Sequence, residues 1–326
     1  MNVLLFLMFT LSLAMASFPP QDPELTKFSY PFPVKFHEVR VKSTTYKMAF
    51  MDIKPEGEAK GTVVLLHGKN FSGHYWERTA KDLLAKKFRV IIPDQIGFGK
   101  SSKPESFPYT LQFLAKLTHE LVTKQNVEKY ILVGHSMGGM LATRQALMFP
   151  DAIQKLALIN PIGLEDWRIK VPYKDVNELY QIELKNDETK IRDYQKNVYY
   201  DGQWKPEYEK GIEVLVGWTL HKDFPRIAWN SALTTDMVFT QPVVYEFKYL
   251  KMPTLLLVGT RDRTAIGKGW APDSVKNELG RYDLLGKAVI KEIPNGTLKE
   301  LPGIGHMPQV ETYDQYWKTL SEFIVK

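Results

Sequence analysis

Cysteine is absent from the 326-residue sequence. That excludes disulfides, thiol catalysis, zinc–thiolate sites and lipidation at a lipobox cysteine. Lys and Arg outnumber Asp and Glu by 43 to 37, a net charge of +6, but the basic residues stand singly or in pairs and form no cluster. A solvated surface accounts for the excess, and no nucleic-acid partner is expected. Repeats, low-complexity tracts, a phosphate-binding loop and a metal-ligand cluster are all missing, so neither a cofactor nor a metal is expected. The Gly97-Phe98-Gly99 pair is only a turn. The apolar run at the N-terminus is too short to span a bilayer comfortably. At 44% hydrophobic and 25% charged, the composition suits a soluble globular protein of one domain with an insertion, or of two domains.

The first sixteen residues carry no charged side chain. Val3 to Leu13 is almost wholly apolar, and Ala14-Met15-Ala16 supplies the small-x-small pattern of a cleavage site. Residues 1–16 therefore read as a signal peptide cut before Ser17, which predicts a secreted or periplasmic protein with no stable membrane span after cleavage. No Lys or Arg precedes the apolar run, and an uncleaved anchor is the rival reading. Residues 17–36 hold five prolines (Pro19, Pro20, Pro23, Pro31 and Pro33) and are expected to form an extended arm.

From His37 onward the chain alternates. Strands are expected at His37–Lys42 and Tyr46–Ile53, then at Gly61–Leu66, Arg89–Ile92, Tyr130 onward, Lys155–Ile159, Thr254–Val258 and Thr297–Leu301. Helical patterns separate most of them, near 74–86, 110–124, 140–149 and 282–293, and Tyr313–Val325 closes the chain. Strands alternating with helices of ten to fifteen residues predict an α/β fold with a mostly parallel sheet. Between Pro161 and about Asp236 no buried strand is legible. Charged, aromatic, helical segments with Trp167, Trp204, Trp218 and Trp229 take their place. This divides the chain into a core of 37–160 and 236–326 and an inserted helical lid at 161–235.

One stretch organises the rest. Tyr130-Ile131-Leu132-Val133 leads into Gly134-His135-Ser136-Met137-Gly138, and a helix-compatible run follows. A serine at the apex of a strand–turn–helix needs glycines beside it, because strand and helix crowd together there. Two further loops each follow a strand. One is Gly259-Thr260-Arg261-Asp262-Arg263 and the other is Pro302-Gly303-Ile304-Gly305-His306-Met307-Pro308. In a parallel sheet such loops gather at the carboxyl ends of the strands.

With these loops the chain resembles the α/β-hydrolase superfamily, in its serine-nucleophile branch, from His37 to the end. The order Ser136, Asp262, His306 is the family's order of nucleophile, acid and base. The resemblance implies that Ser136 attacks a carbonyl, that His306 relays the proton, and that Asp262 orients the imidazole. Asp166 and Glu165, after the sixth strand, are the alternative acids. Asp94, His67 and His135 occupy positions that hold loops in relatives. An oxyanion hole is expected from the N–H of Met137 and a second N–H in His67-Gly68-Lys69-Asn70, with Lys69 first and Asn70 next. Epoxide hydrolases and haloalkane dehalogenases of this fold carry aspartate where Ser136 stands. The loop His67-Gly68-Lys69-Asn70 also lacks the glycine run of many lipases and esterases and the pattern of proline aminopeptidases. The implied function is hydrolysis of an ester-like bond in a small, largely apolar substrate. Lactonase, carbon–carbon hydrolase and cofactor-free perhydrolase chemistry remain as alternatives, with a non-catalytic ligand-binding protein behind them. Oligomeric state is not legible.

Overall fold

The computed structural model describes residues 18–325, so the signal-peptide reading of 1–16 lies outside the described residues. Eight strands form one sheet: β1 (Val34–Val41), β2 (Thr44–Ile53), β3 (Thr62–Leu66), β4 (Arg89–Pro93), β5 (Tyr130–His135), β6 (Ile153–Ile159), β7 (Thr254–Gly259) and β8 (Gly296–Leu301). Their spatial order is β1-β2-β4-β3-β5-β6-β7-β8. β2 pairs antiparallel with both β1 and β4, and every later pairing is parallel. The mostly parallel α/β sheet is the one the sequence predicts. β3, β5 and β7 are apolar runs buried at every position, as strands covered by helices on both faces must be. The edge strand β8 instead alternates between exposed and partly buried positions.

The helices divide between the two faces. α2 (Leu111–Lys124), α3 (Met137–Met148) and α9 (Tyr282–Val289) pack into one apolar cluster through Leu114, Leu121, Met140 and Val289. α1 (Glu77–Ala85) and α11 (Tyr313–Val325) cover the other through Leu83, Tyr316, Leu320 and Ile324. Short helices α8 (Asp273–Lys276) and α10 (Pro308–Glu311) complete the loops after β7 and β8. No helix among the described residues is long and apolar enough to cross a membrane.

Among the described residues, no strand interrupts the chain between β6 and β7. The segment contains α4 (Val176–Glu183), α5 (Glu188–Tyr194) running into a π-helical turn (Gln195–Tyr199), α6 (Glu213–Thr219) and α7 (Phe224–Thr240). The boundary expected at 235/236 therefore falls inside α7. Thr234, Thr235 and Asp236 look like a polar stop in sequence. The threonine hydroxyls instead donate back to the carbonyls of Asn230 (2.9 Å) and Ser231 (2.8 Å) and leave the helix unbroken.

The arm also departs from expectation. It ends at Val34, where β1 begins, and residues 18–33 fold as turns against both the sheet and the insertion. Leu25 is fully buried with Val214, Trp218 and Ile227 of the insertion. The Gln21 N–H donates to Gly217 O at 2.8 Å, Trp218 Nε1 donates to Asp22 O at 3.1 Å, and Arg226 grips both oxygens of Glu24 at 2.8 Å. On the sheet side, Tyr30 O–H donates to Asp94 Oδ2 at 2.7 Å and Lys100 Nζ to Leu25 O. Lys103 is buried at this seam, with Nζ donating to Gly99 O (2.6 Å) and Ser101 O (3.1 Å) and lying 5.1 Å from the Trp218 ring centre. Burial pulls its ammonium pKa down to about 7.

Candidate active site

Ser136 sits between β5 and α3 with φ 56° and ψ −122°. A non-glycine residue in that region carries strain of order 1–3 kcal/mol, tolerated only where the surroundings leave no alternative. The glycines provide that constraint. A Cβ on Gly134 would collide with the Gly138 carbonyl, and one on Gly138 with the carbonyls of Leu66 and His67. Only glycine lets strand and helix come this close, and the approach lifts the serine clear of both.

The loops after β5, β7 and β8 bring Ser136, Asp262 and His306 together. His306 Nδ1 lies 2.7 Å from Asp262 Oδ2, and His306 Nε2 lies 3.0 Å from Ser136 Oγ. Because a carboxylate only accepts, Nδ1 carries the proton, and Nε2 is left to accept from the serine hydroxyl. Asp262 and His306 are fully buried, and Ser136 nearly so. Burial by itself would raise the Asp262 pKa. His306, with further donors from Asn160 and the Thr264 N–H, outweighs it and holds the carboxyl below its ordinary value. The alternative acids are occupied elsewhere. Asp166 pairs with Arg168 at 2.7 Å and accepts from Tyr245 O–H at 2.9 Å, while Glu165 accepts from the Gly280 N–H at 2.7 Å.

Asn160 was not identified from the sequence. It follows β6 with φ 38°, donates from Nδ2 to Asp262 Oδ2 (2.8 Å) and Gly305 O (3.2 Å), and accepts from the Gly259 N–H at 3.1 Å. One side chain thus ties the acid's loop to the histidine's loop. The only sequence signal was a polar residue at the end of a buried strand, just before Pro161.

The two other histidines hold backbone. His135 donates from Nε2 to the His306 carbonyl at 2.9 Å and accepts from Tyr75 O–H at 3.0 Å. Burial first, then the neighbouring His306, lower its pKa to about 3, so it stays neutral at working pH. His67 accepts from the Gln95 N–H at 3.1 Å and donates to Gly68 O at 2.8 Å, which fixes the loop after β3. That loop lies directly on the serine. A Cβ on Gly68 would come within 3.0 Å of the Ser136 Cβ. The N–H groups of Lys69 and Met137 have no acceptor among the described residues. For Met137 this is the ordinary state of a first helical N–H. Both are therefore available to an oxygen beside Ser136.

A cavity of about 900 Å³ lies between this loop and the insertion. Its lining is mostly apolar, including Phe98, Ile191, Leu215, Ile227 and Ala228. Its wall includes Lys69 and Asn70 but neither Ser136 nor His306. Tyr199, the last residue of the π-helical turn, stands between them. Its ring lies 4.7 Å from that of His306, and its hydroxyl accepts from Asn70 Nδ2 at 3.0 Å. π-Helical turns are rare and recur at functional sites.

Residues 61–312 match the family model described as alpha/beta hydrolase fold. Lipase 1 of Psychrobacter immobilis is 25% identical over 290 residues, 85% of this chain and 82% of the lipase. A fluoroacetate dehalogenase from Burkholderia is 36% identical, but only over 110 residues, 32% of this chain and 36% of that protein. Among solved structures, a "probable hydrolytic enzyme" of Pseudomonas aeruginosa superposes with a TM-score of 0.92 at 44% identity, covering 94% of this chain and 99% of its own. A bromoperoxidase from Bacillus anthracis, at 19% identity and a TM-score of 0.67, shares the fold.

Proposed function

The chain belongs to the α/β-hydrolase fold family, and from that premise we propose that it is a serine hydrolase cleaving an ester in a small, largely apolar substrate. The observation that carries this reading is the unbroken line from Asp262 through His306 to Ser136, at 2.7 and 3.0 Å. Ser136 Oγ attacks the ester carbonyl while His306 Nε2 takes its proton. The oxyanion that forms accepts from the N–H groups of Met137 and Lys69, worth about 3–4 kcal/mol per donor in related chemistry. Collapse breaks the carbon–oxygen bond, and His306 returns the proton to the departing alcohol. Water, deprotonated by His306, then attacks the acyl-serine, and as the acyl–Oγ bond breaks His306 returns that proton to Ser136 and the acid leaves. Asp262 stays ionised throughout and stabilises the imidazolium.

The insertion acts as a lid whose helices supply the apolar cavity for the substrate. The dehalogenase match is local, and the serine at the nucleophile position favours ester over carbon–halogen chemistry. Lactonase, carbon–carbon hydrolase and perhydrolase reactions would use the same serine, and no observation favours them here. Export is proposed on residues 1–16 alone, and fractionation of expressing cells tests it. For the hydrolase reading, a fluorophosphonate probe is expected to label Ser136, and a panel of esters graded in acyl length to be turned over. Absence of both labelling and turnover would sink the proposal.

A further inference from the structure

The charged lining of the cavity is one-sided. Lys69, Lys190, Arg263, Lys268 and Lys276 face a single carboxylate, Glu183. Two of the five are matched from elsewhere, Arg263 by Asp283 at 3.4 Å and Lys276 by Asp273 at 2.7 Å. Lys268 donates to the carbonyls of Arg263 (3.3 Å) and Leu279 (3.1 Å). Lys69 differs from the rest by its place. It lies in the loop packed on Ser136, and its side chain is only 13% exposed.

The Lys69 ammonium is incompletely satisfied there. Nζ donates to Ser231 Oγ of α7 at 2.8 Å and reaches Glu183 Oε1 of α4 only at 3.4 Å. Asn186 Nδ2 donates to the other Glu183 oxygen at 2.8 Å. An ammonium has three donors, and the third has no acceptor among the described residues. The Ser231 hydroxyl hydrogen has none either. Two donors thus face an apolar cavity whose wall includes the loop packed on Ser136.

We infer that Lys69 and Ser231 form a subsite for a carboxylate carried by the substrate, so that the ester cleaved at Ser136 joins an apolar body to an anionic end. This rests on the serine-hydrolase reading above. A carboxylate accepting from both groups gains charge-assisted hydrogen bonds, which are shorter and stronger than neutral ones, in a site where little water competes. Glu183 sets the limit on charge. It fixes the position of Lys69 and repels a second negative charge, so the subsite takes a monoanion rather than a phosphate monoester. The remaining cations of the cavity raise the local concentration of such a substrate.

Monomethyl adipate and methyl hexanoate have the same length and differ in a terminal carboxylate against a methyl group. Methanol release from each gives kcat/KM for the full chain. The wild-type protein is expected to prefer the hemiester. Lys69→Met should lower the ratio of kcat/KM for the hemiester to that for the neutral ester about 10–100-fold, and Lys69→Arg should restore that ratio. An equal loss on both esters would overturn the subsite and leave Lys69 as a tie between loop and insertion. A wild-type preference for the neutral ester would overturn it as well. If neither ester is cleaved and the fluorophosphonate leaves Ser136 unlabelled, the hydrolase reading fails separately. Calorimetric binding of monomethyl adipate to Ser136→Ala, with and without Lys69→Met, then decides the subsite. Weaker binding in the double variant upholds it, and unchanged binding overturns it.

Discussion

The wall of the site that carries Ser136, Asp262 and His306 and the wall that faces it are built by different means. The first is made of short loops at the ends of buried parallel strands, with glycines enforcing close approach and Asn160 cross-linking two loops. Neighbours at hydrogen-bond distance hold the side chains of Ser136, Asp262 and His306 and leave them almost no freedom. The second is made of helices of 7 to 17 residues carrying aromatic rings and long side chains around a cavity. It has donors to spare. Under the proposed function, chemistry belongs to the first wall and selection to the second. Changes in the first should lower kcat for every substrate, whereas changes in the second should reorder substrates.

Ser136→Ala should produce the largest effect, a loss of about 10⁶ in kcat, the scale seen when a serine protease loses its nucleophile. Thermal unfolding should change little, because the hydroxyl contributes little packing. Asp262→Asn comes next, at about 10⁴ in kcat, since the amide permits the wrong imidazole tautomer. Asp166→Asn and Glu165→Gln should stay within about 2-fold, because their partners lie away from His306. Steady-state kinetics of the four variants checks this order, and a dead Asp166 variant beside a near-normal Asp262→Asn would move the acid into the insertion.

Asn160→Ala should cost about 10–100-fold in kcat through one lost hydrogen bond to a charged group, and it should also move a pH profile. The native Asp262 pKa is lowered, so the stability its ionised form contributes is present above the ordinary carboxylate range. That stability is lost as pH falls through the lowered value. Removing the Asn160 donor raises that value. Acid unfolding should therefore begin at higher pH in the variant, as read by denaturation across an acid series.

On the selecting wall, Ala228→Trp narrows the cavity at a buried position of α7. It should lower kcat/KM for long acyl chains by about 10-fold or more and leave acetate esters within about 2-fold. A uniform loss across chain lengths would erase the distinction between the walls. The last effect lies at the seam and concerns stability alone. Unfolded Lys103 keeps its proton to its ordinary value of 10.5, but the folded residue only to about 7. Folding therefore releases a proton between those values, and stability should rise with pH there by at most about 1.4 kcal/mol per unit. Urea unfolding at several pH values should show that rise in the wild type and its absence in Lys103→Met.

The sequence revealed the first wall far better than the second, for a physical reason. A buried parallel strand must be an apolar run, and the loop after it must break that run. Ser136, Asp262 and His306 thus stand at visible discontinuities. Asn160 stands at one too, but a lone asparagine before a proline has no spacing to mark its role. Tyr199 left no local trace. Its place over His306 depends on a π-helical turn and on Gly305, where a Cβ would strike the Tyr199 carbonyl from a site more than a hundred residues away in sequence. The arm was misread because prolines report an irregular backbone without saying what covers it, and Leu25 is buried by residues of α6 and α7.

That arm has a thermodynamic consequence. An insertion that leaves a sheet and returns to it can in principle melt alone, as a separate low-stability unit. Here Gln21, Asp22 and Glu24 are fastened to Gly217, Trp218 and Arg226, and Tyr30 to Asp94 at the end of β4. The insertion cannot come apart without also peeling away the segment that leads into β1. Opening of the insertion is thereby coupled to loss of the segment that leads into the sheet, and the insertion shares the stability of the core rather than setting its own.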